Sequence, residues 1–151
     1  MTRRTIVVGV DFSPPSRKAL EAAIGLARDA SAGLVLVHVF AERPTGVGHG
    51  SFEGQKILQT LRRMSDRDEV VRLTTEWAEK ARAEEVEVEP VACDGDPAES
   101  ILQEAARRHA ALIVVGTHGW GLLRRLVLGS VAARVVRQAD VPVLVVPWRD
   151  E

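Results

Sequence analysis

The 151-residue chain has little of what defines several classes of protein, beginning with cysteine. Its single cysteine, Cys93, cannot form an intramolecular disulfide, and there is no CxxC motif or Cys/His cluster of the kind that binds zinc. The histidines at 38, 49 and 109 also lack metal-ligand spacing. We therefore expect a reducing compartment, no metal centre, and a packed or half-exposed thiol at Cys93.

Long apolar runs and an excess of either charge are also absent. The basic start of the chain passes directly into the apolar run 6–10, which is too short for the hydrophobic region of a signal peptide or for a membrane span. With 20 Lys and Arg against 21 Asp and Glu residues, the formal net charge is −1. The general attraction of a basic protein to nucleic acid or anionic lipid is therefore missing, and we expect a cytoplasmic protein that binds neither.

Strand and helix patterns alternate along the chain. Strands are predicted at 6–10, 34–40, 85–91, 111–115 and 143–146, and helices beginning at Pro14, within 55–84, at 97–109 and at 130–138, with a loop at 42–54. Four of the strands are almost continuously apolar, which is typical of a parallel sheet covered on both faces. The segment 85–91 instead alternates Glu with Val and contains Pro90, as an edge strand does. The chain is predicted to form one α/β domain, 1–151, with three layers (α/β/α) around a five-stranded, mostly parallel sheet.

The loop after the fourth predicted strand carries the clearest chemical pattern. Gly116 follows that strand directly, and Gly129 and Ser130 open a predicted helix. Exposed N–H groups and the positive end of the helix dipole favour an anion there, while glycines allow phosphate oxygens to approach the backbone. The loop lacks the Gly-Lys-Ser/Thr of a P-loop, and Arg124 stands where the dinucleotide fingerprint requires a small residue. A phosphate-binding loop of another kind is therefore predicted.

The spacing of these glycines resembles the signature of the universal stress protein family, Gly-x2-Gly-x9-Gly-Ser/Thr. Gly116, Gly119, Gly129 and Ser130 match it. The segments 9–20, 36–39 and 141–146 are also similar to the family's first junction, second strand and last strand, so the resemblance covers nearly the whole chain. It implies a Rossmann-like fold of the adenine nucleotide alpha hydrolase type, with strand order 3-2-1-4-5.

The resemblance also implies a binding site for ATP, ADP or AMP, together with Mg²⁺. The residues that match the family's site are Asp11 at the nucleoside, Val39 at the adenine through its backbone, Gly116 beside the ribose, and Gly119, Gly129, Ser130 and Val131 at the phosphates. Asp11, Val39 and Gly116 each follow or end a predicted strand, and order 3-2-1-4-5 opens a crevice at that edge between strands 1 and 4. The residues implied by the resemblance and the crevice expected from the strand order therefore indicate the same location.

A homodimer is the assembly that the resemblance implies, joined through the last strand. That strand, Val143, Leu144, Val145 and Val146, carries no charge, and proline on either side limits the length that can pair. The bare apolar edge suits a two-fold antiparallel contact. Coverage of this edge by a helix or by the C-terminal tail is the alternative.

Simpler interpretations of the site residues stay open. Asp11 can merely end a strand and cap a helix, Ser130 can act only as a cap, and Val39 has the pattern of core. His118 is a tempting general base, but nothing in the sequence supplies a positioned nucleophile, so no catalytic residue is assigned. Arg124 and Arg125 suit either phosphate or solvent.

Four functions are compatible with these observations. The first is a nucleotide-binding sensor or regulator in the stress response, with at most slow ATP hydrolysis. An ATP-dependent ligase or nucleotidyl-transfer enzyme would need a substrate domain, for which the chain has no room. A phosphoacceptor regulator would need paired acids after strand 1 and a lysine after strand 5, where Asp11 stands alone and Pro147-Trp148 follow. A family member that acts only through protein contacts is disfavoured by the intact glycine signature.

Overall fold

A computed structural model describes residues 2–40, 67–119 and 128–148. In these ranges, strands and helices alternate as β1 (Thr5–Gly9), α1 (Pro14–Asp29), β2 (Gly33–Phe40), α2 (Arg67–Ala83), β3 (Val88–Asp94), α3 (Pro97–Arg107), β4 (Leu112–Gly116), α4 (Ser130–Gln138) and β5 (Val143–Val146). Every neighbouring pair is parallel, and the sheet order is β3-β2-β1-β4-β5. The α/β fold and the strand order are both confirmed.

Helix starts were predicted well because capping is a local interaction. Ser13 caps α1, accepting a hydrogen bond from the Ser16 N–H at 3.3 Å. Asp96 caps α3 in the same way, accepting from the Glu99 N–H at 2.8 Å. The bounds of α4 and β5 coincide with the prediction. Of the helix predicted within 55–84, only the part from Arg67 is described, and the predicted loop at 42–54 lies outside the described residues.

The edge strand β3 lies three residues later than predicted. Glu85 belongs to the turn that ends α2, with a positive φ of 60° and its N–H bonded to the Arg82 carbonyl. The alternation of Glu and Val therefore begins before the strand does. Pro90 is tolerated in β3 because the strand is at the edge of the sheet. Cys93 is half-buried there, as predicted.

An apolar core lies on each face of the sheet. On one face α1 and α2 bury Leu20, Leu36 and Trp77, and on the other α3 and α4 bury Ile101 and Val135. Successive residues of the inner strands therefore point into opposite cores, which explains why their sequences are continuously apolar. No helix in the described parts of the chain combines the length and the apolar character that a bilayer crossing requires.

Candidate functional site

The winding direction of the chain reverses between β1 and β4, which are parallel neighbours. Their carboxyl ends lie side by side, and the segments that follow them, 10–13 and 117–119, meet at this edge of the sheet. In open α/β sheets such a switch point forms a crevice in which ligands bind. The predicted site residues on these segments therefore lie at the expected place.

Asp11 is held in a tight turn at the start of α1. Its Oδ1 accepts a hydrogen bond from the Ser13 N–H at 3.0 Å and another from the Ser13 hydroxyl. The Asp11 N–H in turn donates to Oγ of Ser16 at 3.3 Å. Ser13 is fully buried, so the carboxylate is fixed by a rigid part of the helix start. Asp11 thus supports the helix start, and its half-buried carboxylate is also oriented toward the crevice segments.

Gly119 lies directly against that carboxylate. A Cβ atom built on Gly119 would be only 2.2 Å from Oδ2 of Asp11, a separation that no real side chain tolerates. The fold therefore brings together two predicted site residues that are more than 100 positions apart in sequence. It also gives Gly119 a structural requirement that exists without any ligand.

The other two signature glycines also make room for neighbouring backbone. A Cβ atom on Gly116 would lie 3.0 Å from the carbonyl of Pro15, and one on Gly129 would lie 3.0 Å from Cα of His118. The N–H of Gly129 donates to the Thr117 carbonyl at 2.6 Å. The glycine signature thus permits the loop ends, α1 and α4 to pack closely together.

The start of α4 is the part of the site suited to an anion. Gly129 is the N-cap residue, and it has no side chain that could satisfy the N–H groups of the first turn. Ser130 and Val131 are the first two helical residues, so the interpretation of Ser130 as the cap is wrong. Their N–H groups have no acceptor within the helix, and they stand at the positive end of its dipole.

Phe12 is a feature of the site that the sequence did not reveal. It has a positive φ of 63°, which is costly for a residue with a bulky side chain. Its buried ring packs 4.5 Å from the ring of His38 and edge-on to Trp77 at 5.1 Å. This packing holds the strained turn directly beside Asp11. Such strain is common at binding sites.

His38 supports the same turn from β2. Its Nδ1 lies 2.9 Å from the carbonyl oxygen of Val10. Burial lowers the pKa of His38, although the bond to Val10 and the charge of Asp11 act in the opposite direction. The ring is therefore neutral near pH 7 and donates through Nδ1–H to the carbonyl at the end of β1.

Two further residues singled out from the sequence, Val39 and His118, lie in or near this region. Val39 is buried near the carboxyl end of β2, with its side chain in the core shared with α3 and α4. His118 is buried beside Thr117, whose hydroxyl lies 3.0 Å from its Nδ1, and we assign it no catalytic role. Arg124 and Arg125 lie outside the described residues.

Comparison with known proteins agrees with this geometry. Residues 2–147 match the model of the Universal stress protein family. The chain belongs to this family. It is 33% identical to Universal stress protein YxiE of Bacillus subtilis, in an alignment that covers 93% of this chain and 97% of that protein. The resemblance stated from the glycine spacing is therefore confirmed.

Solved structures of two other family members resemble this chain over nearly its whole length. One is the universal stress protein from Archaeoglobus fulgidus in complex with dAMP, which is 25% identical, with coverage of 97% and 99% of the two chains and a TM-score of 0.66. The other is a universal stress protein in complex with cAMP, also 25% identical, with coverage of 97% and 98% and a TM-score of 0.64. Both relatives hold an adenine nucleotide.

Proposed function

We propose that this chain binds an adenine nucleotide at the carboxyl edge of its sheet and serves in the stress response as a ligand-responsive module. The observation that carries the proposal is the contact between Gly119 and the Asp11 carboxylate, beside the uncapped first turn of α4. It supplies an acceptor for nucleoside hydroxyls and donors for phosphate in one crevice. The dAMP and cAMP complexes of relatives support the choice of adenine nucleotides.

In this proposal each part of the site recognises one part of the nucleotide. Asp11 accepts from the nucleoside, the backbone at Val39 meets the adenine, and Gly116 stands beside the ribose. The phosphates lie against Gly119, Gly129, Ser130 and Val131. Since the Gly129 N–H already bonds to the Thr117 carbonyl, Gly129 contributes chiefly through its missing side chain, and the N–H groups of Ser130 and Val131 are the donors.

ATP with Mg²⁺ is the proposed physiological form, with ADP and AMP as the alternatives. Among the described residues, no three His, Cys, Asp or Glu side chains are grouped so that they could hold a metal ion. Mg²⁺ would therefore be carried mainly by the phosphates and water, as is usual for this ion. We assign no catalytic residue, and hydrolysis is at most slow.

Native mass spectrometry of the purified protein tests the proposal directly, because a nucleotide that copurifies identifies itself by mass. Calorimetric titration with ATP, ADP, AMP and cAMP, each with and without Mg²⁺, then ranks the ligands. A protein that carries no nucleotide and gives no heat at millimolar concentrations would refute nucleotide binding. The protein would then be better described as a family member that acts only through contacts with other proteins.

We also propose that two copies pair through β5. Within the described residues β5 hydrogen-bonds to β4 alone, so its other edge is available to a second strand. Leu144 is 36% exposed, and Val136 of the adjacent α4 is 46% exposed. Val143 and Val145 instead pack on the core of α3 and α4. Leu144 is therefore the residue of β5 through which the dimer can be tested without disturbing the core.

A further inference from the structure

Residue 117 joins three parts of the fold that are separate in sequence. Its N–H donates to the Val146 carbonyl at the end of β5, at 3.2 Å, and its carbonyl accepts from the Gly129 N–H at the start of α4. Two residues later, Gly119 lies against Asp11. The position of the segment 117–119 therefore determines both the contact with the carboxylate and the placement of the first turn of α4.

The ring of His118 is enclosed within this junction. The residue is only 6% exposed, and its Nδ1 lies 3.0 Å from Oγ1 of Thr117. The ring meets Trp148 edge-on, with 5.9 Å between ring centroids. Trp148 stands two residues beyond the end of β5. The histidine is thus held between the hydroxyl of Thr117 and an aromatic side chain at the edge of the sheet.

Nε2 of His118 is buried and has no hydrogen-bond partner among the described residues. A buried polar atom without a partner costs stability, which an apolar ring of similar size would avoid. What the imidazole adds over such a ring is the hydrogen bond between its Nδ1 and the Thr117 hydroxyl. This bond ties the side chain of His118 to the side chain of Thr117.

We propose that His118 is a positioning residue of the nucleotide site and that Trp148 holds it in place. His118 acts through Thr117: the bond at Nδ1 orients the 117–119 backbone, so that Gly119 stays on Asp11 and the Thr117 carbonyl keeps its bond to Gly129. The inference rests on the proposed function, since it concerns nucleotide affinity. It makes that affinity depend on Trp148, a residue outside the glycine signature.

Matched substitutions separate the hydrogen bond from the packing. Thr117→Val removes the hydroxyl and keeps the side-chain shape, whereas Thr117→Ser keeps the hydroxyl. We expect Thr117→Val to raise the Kd for AMP or ATP about three- to tenfold, the scale of one hydrogen bond, and Thr117→Ser to raise it less. His118→Asn, whose amide lies near the place of Nδ1, is expected to bind better than His118→Gln, whose amide lies near the place of Nε2.

The role of Trp148 is tested by a double-mutant cycle on affinity. Trp148→Ala should raise the Kd, and Trp148→Phe should raise it less, because phenylalanine keeps an aromatic ring beside His118. If Trp148 acts through the same junction, Trp148→Ala and Thr117→Val are non-additive, and the double variant binds about as weakly as the weaker single variant. Additive effects on Kd would overturn the part assigned to Trp148.

A destabilised control separates positioning from general loss of structure. Leu34→Ala removes a buried side chain near the amino end of β2, away from the segment 117–119. It should lower the Tm while leaving the Kd unchanged at a temperature where all variants are folded. A Thr117→Val variant that lowers the Tm but binds like wild type would reduce His118 to a structural role and overturn the proposal.

Two further outcomes would also overturn it, and they can be told apart. If His118→Gln binds like wild type while His118→Asn does not, Nε2 contacts the ligand and His118 is a binding residue instead. If wild type itself binds no adenine nucleotide, the proposed function fails, and the positioning role fails with it.

Discussion

Gly119→Ala is the substitution for which the structure makes the sharpest prediction. The added methyl group would lie 2.2 Å from Oδ2 of Asp11 and 3.4 Å from its Cγ. Ordinary contacts begin near the second of these distances, so the carboxylate or the segment 117–119 must move by about 1 Å, a shift that closely packed protein does not absorb without cost. Even the smallest side chain therefore forces a rearrangement here, whether or not a phosphate is present.

The expected cost follows from what the displaced carboxylate loses. Inserting a methyl group into a packed site typically costs about 1–3 kcal/mol. Moving Asp11 also weakens the two bonds that its Oδ1 accepts from Ser13. We therefore expect Gly119→Ala to lower the free energy of unfolding by about 1–3 kcal/mol, at the upper end if the Ser13 bonds break. Nucleotide binding should weaken as well, because both groups belong to the proposed site.

A double-mutant cycle with Asp11→Ala distinguishes this clash from other effects of the methyl group. In the Asp11→Ala background the carboxylate is gone, and Gly119→Ala should cost clearly less stability than it does in wild type. Urea unfolding of the four proteins measures the difference, for which we expect about 1 kcal/mol or more of coupling. Effects that add to within about 0.5 kcal/mol would show that the methyl group and the carboxylate do not meet, and the geometry of the site would be wrong.

Three other predictions concern affinity, assembly and pH. Asp11→Ala should weaken nucleotide binding by about 1–3 kcal/mol in calorimetry, the scale of a hydrogen bond to a charged group, and a lowered Tm with unchanged affinity would leave Asp11 only a helix-start role. Leu144→Glu should shift the proposed homodimer toward monomer, as measured by light scattering across a dilution series. The control Leu26→Glu, at a similarly exposed position on α1, should not. A wild-type protein that is monomeric at every concentration would rule out pairing through β5. Burial lowers the pKa of His38 in the folded protein. Below pH 6.5, the ordinary pKa of histidine, the unfolded chain therefore binds a proton that the folded protein resists. The free energy of unfolding should decrease as the pH is lowered through this range, by up to about 1.4 kcal/mol per pH unit. Urea unfolding between pH 8 and 5.5 checks this, and an equally steep loss in His38→Asn would assign the effect to other groups.

Features that depend on neighbours along the chain could be predicted from the amino-acid sequence. Ser13 and Asp96 cap their helices through bonds to N–H groups three residues away, so both helix starts could be predicted. Continuous apolar runs specified strands buried on two faces, and the glycine spacing that resembled the universal stress protein signature indicated where the proposed site lies. The error at β3 has the same origin, because alternation alone cannot show that Glu85 is still part of the turn that ends α2.

The contacts of each site residue, by contrast, could not be predicted before the folded structure was known. Gly119 reaches Asp11, Gly129 reaches Thr117, and the His118 ring meets Trp148 because parallel strands distant in sequence end at one edge of the sheet. No local pattern encodes those distances, since they depend on the sheet register and on how the helices pack. For the same reason the strain at Phe12 was unforeseen: its positive φ is sustained by the rings of His38 and Trp77, which come from β2 and α2. Local bonds can be read from spacing, whereas contacts across the sheet exist only once the chain has folded.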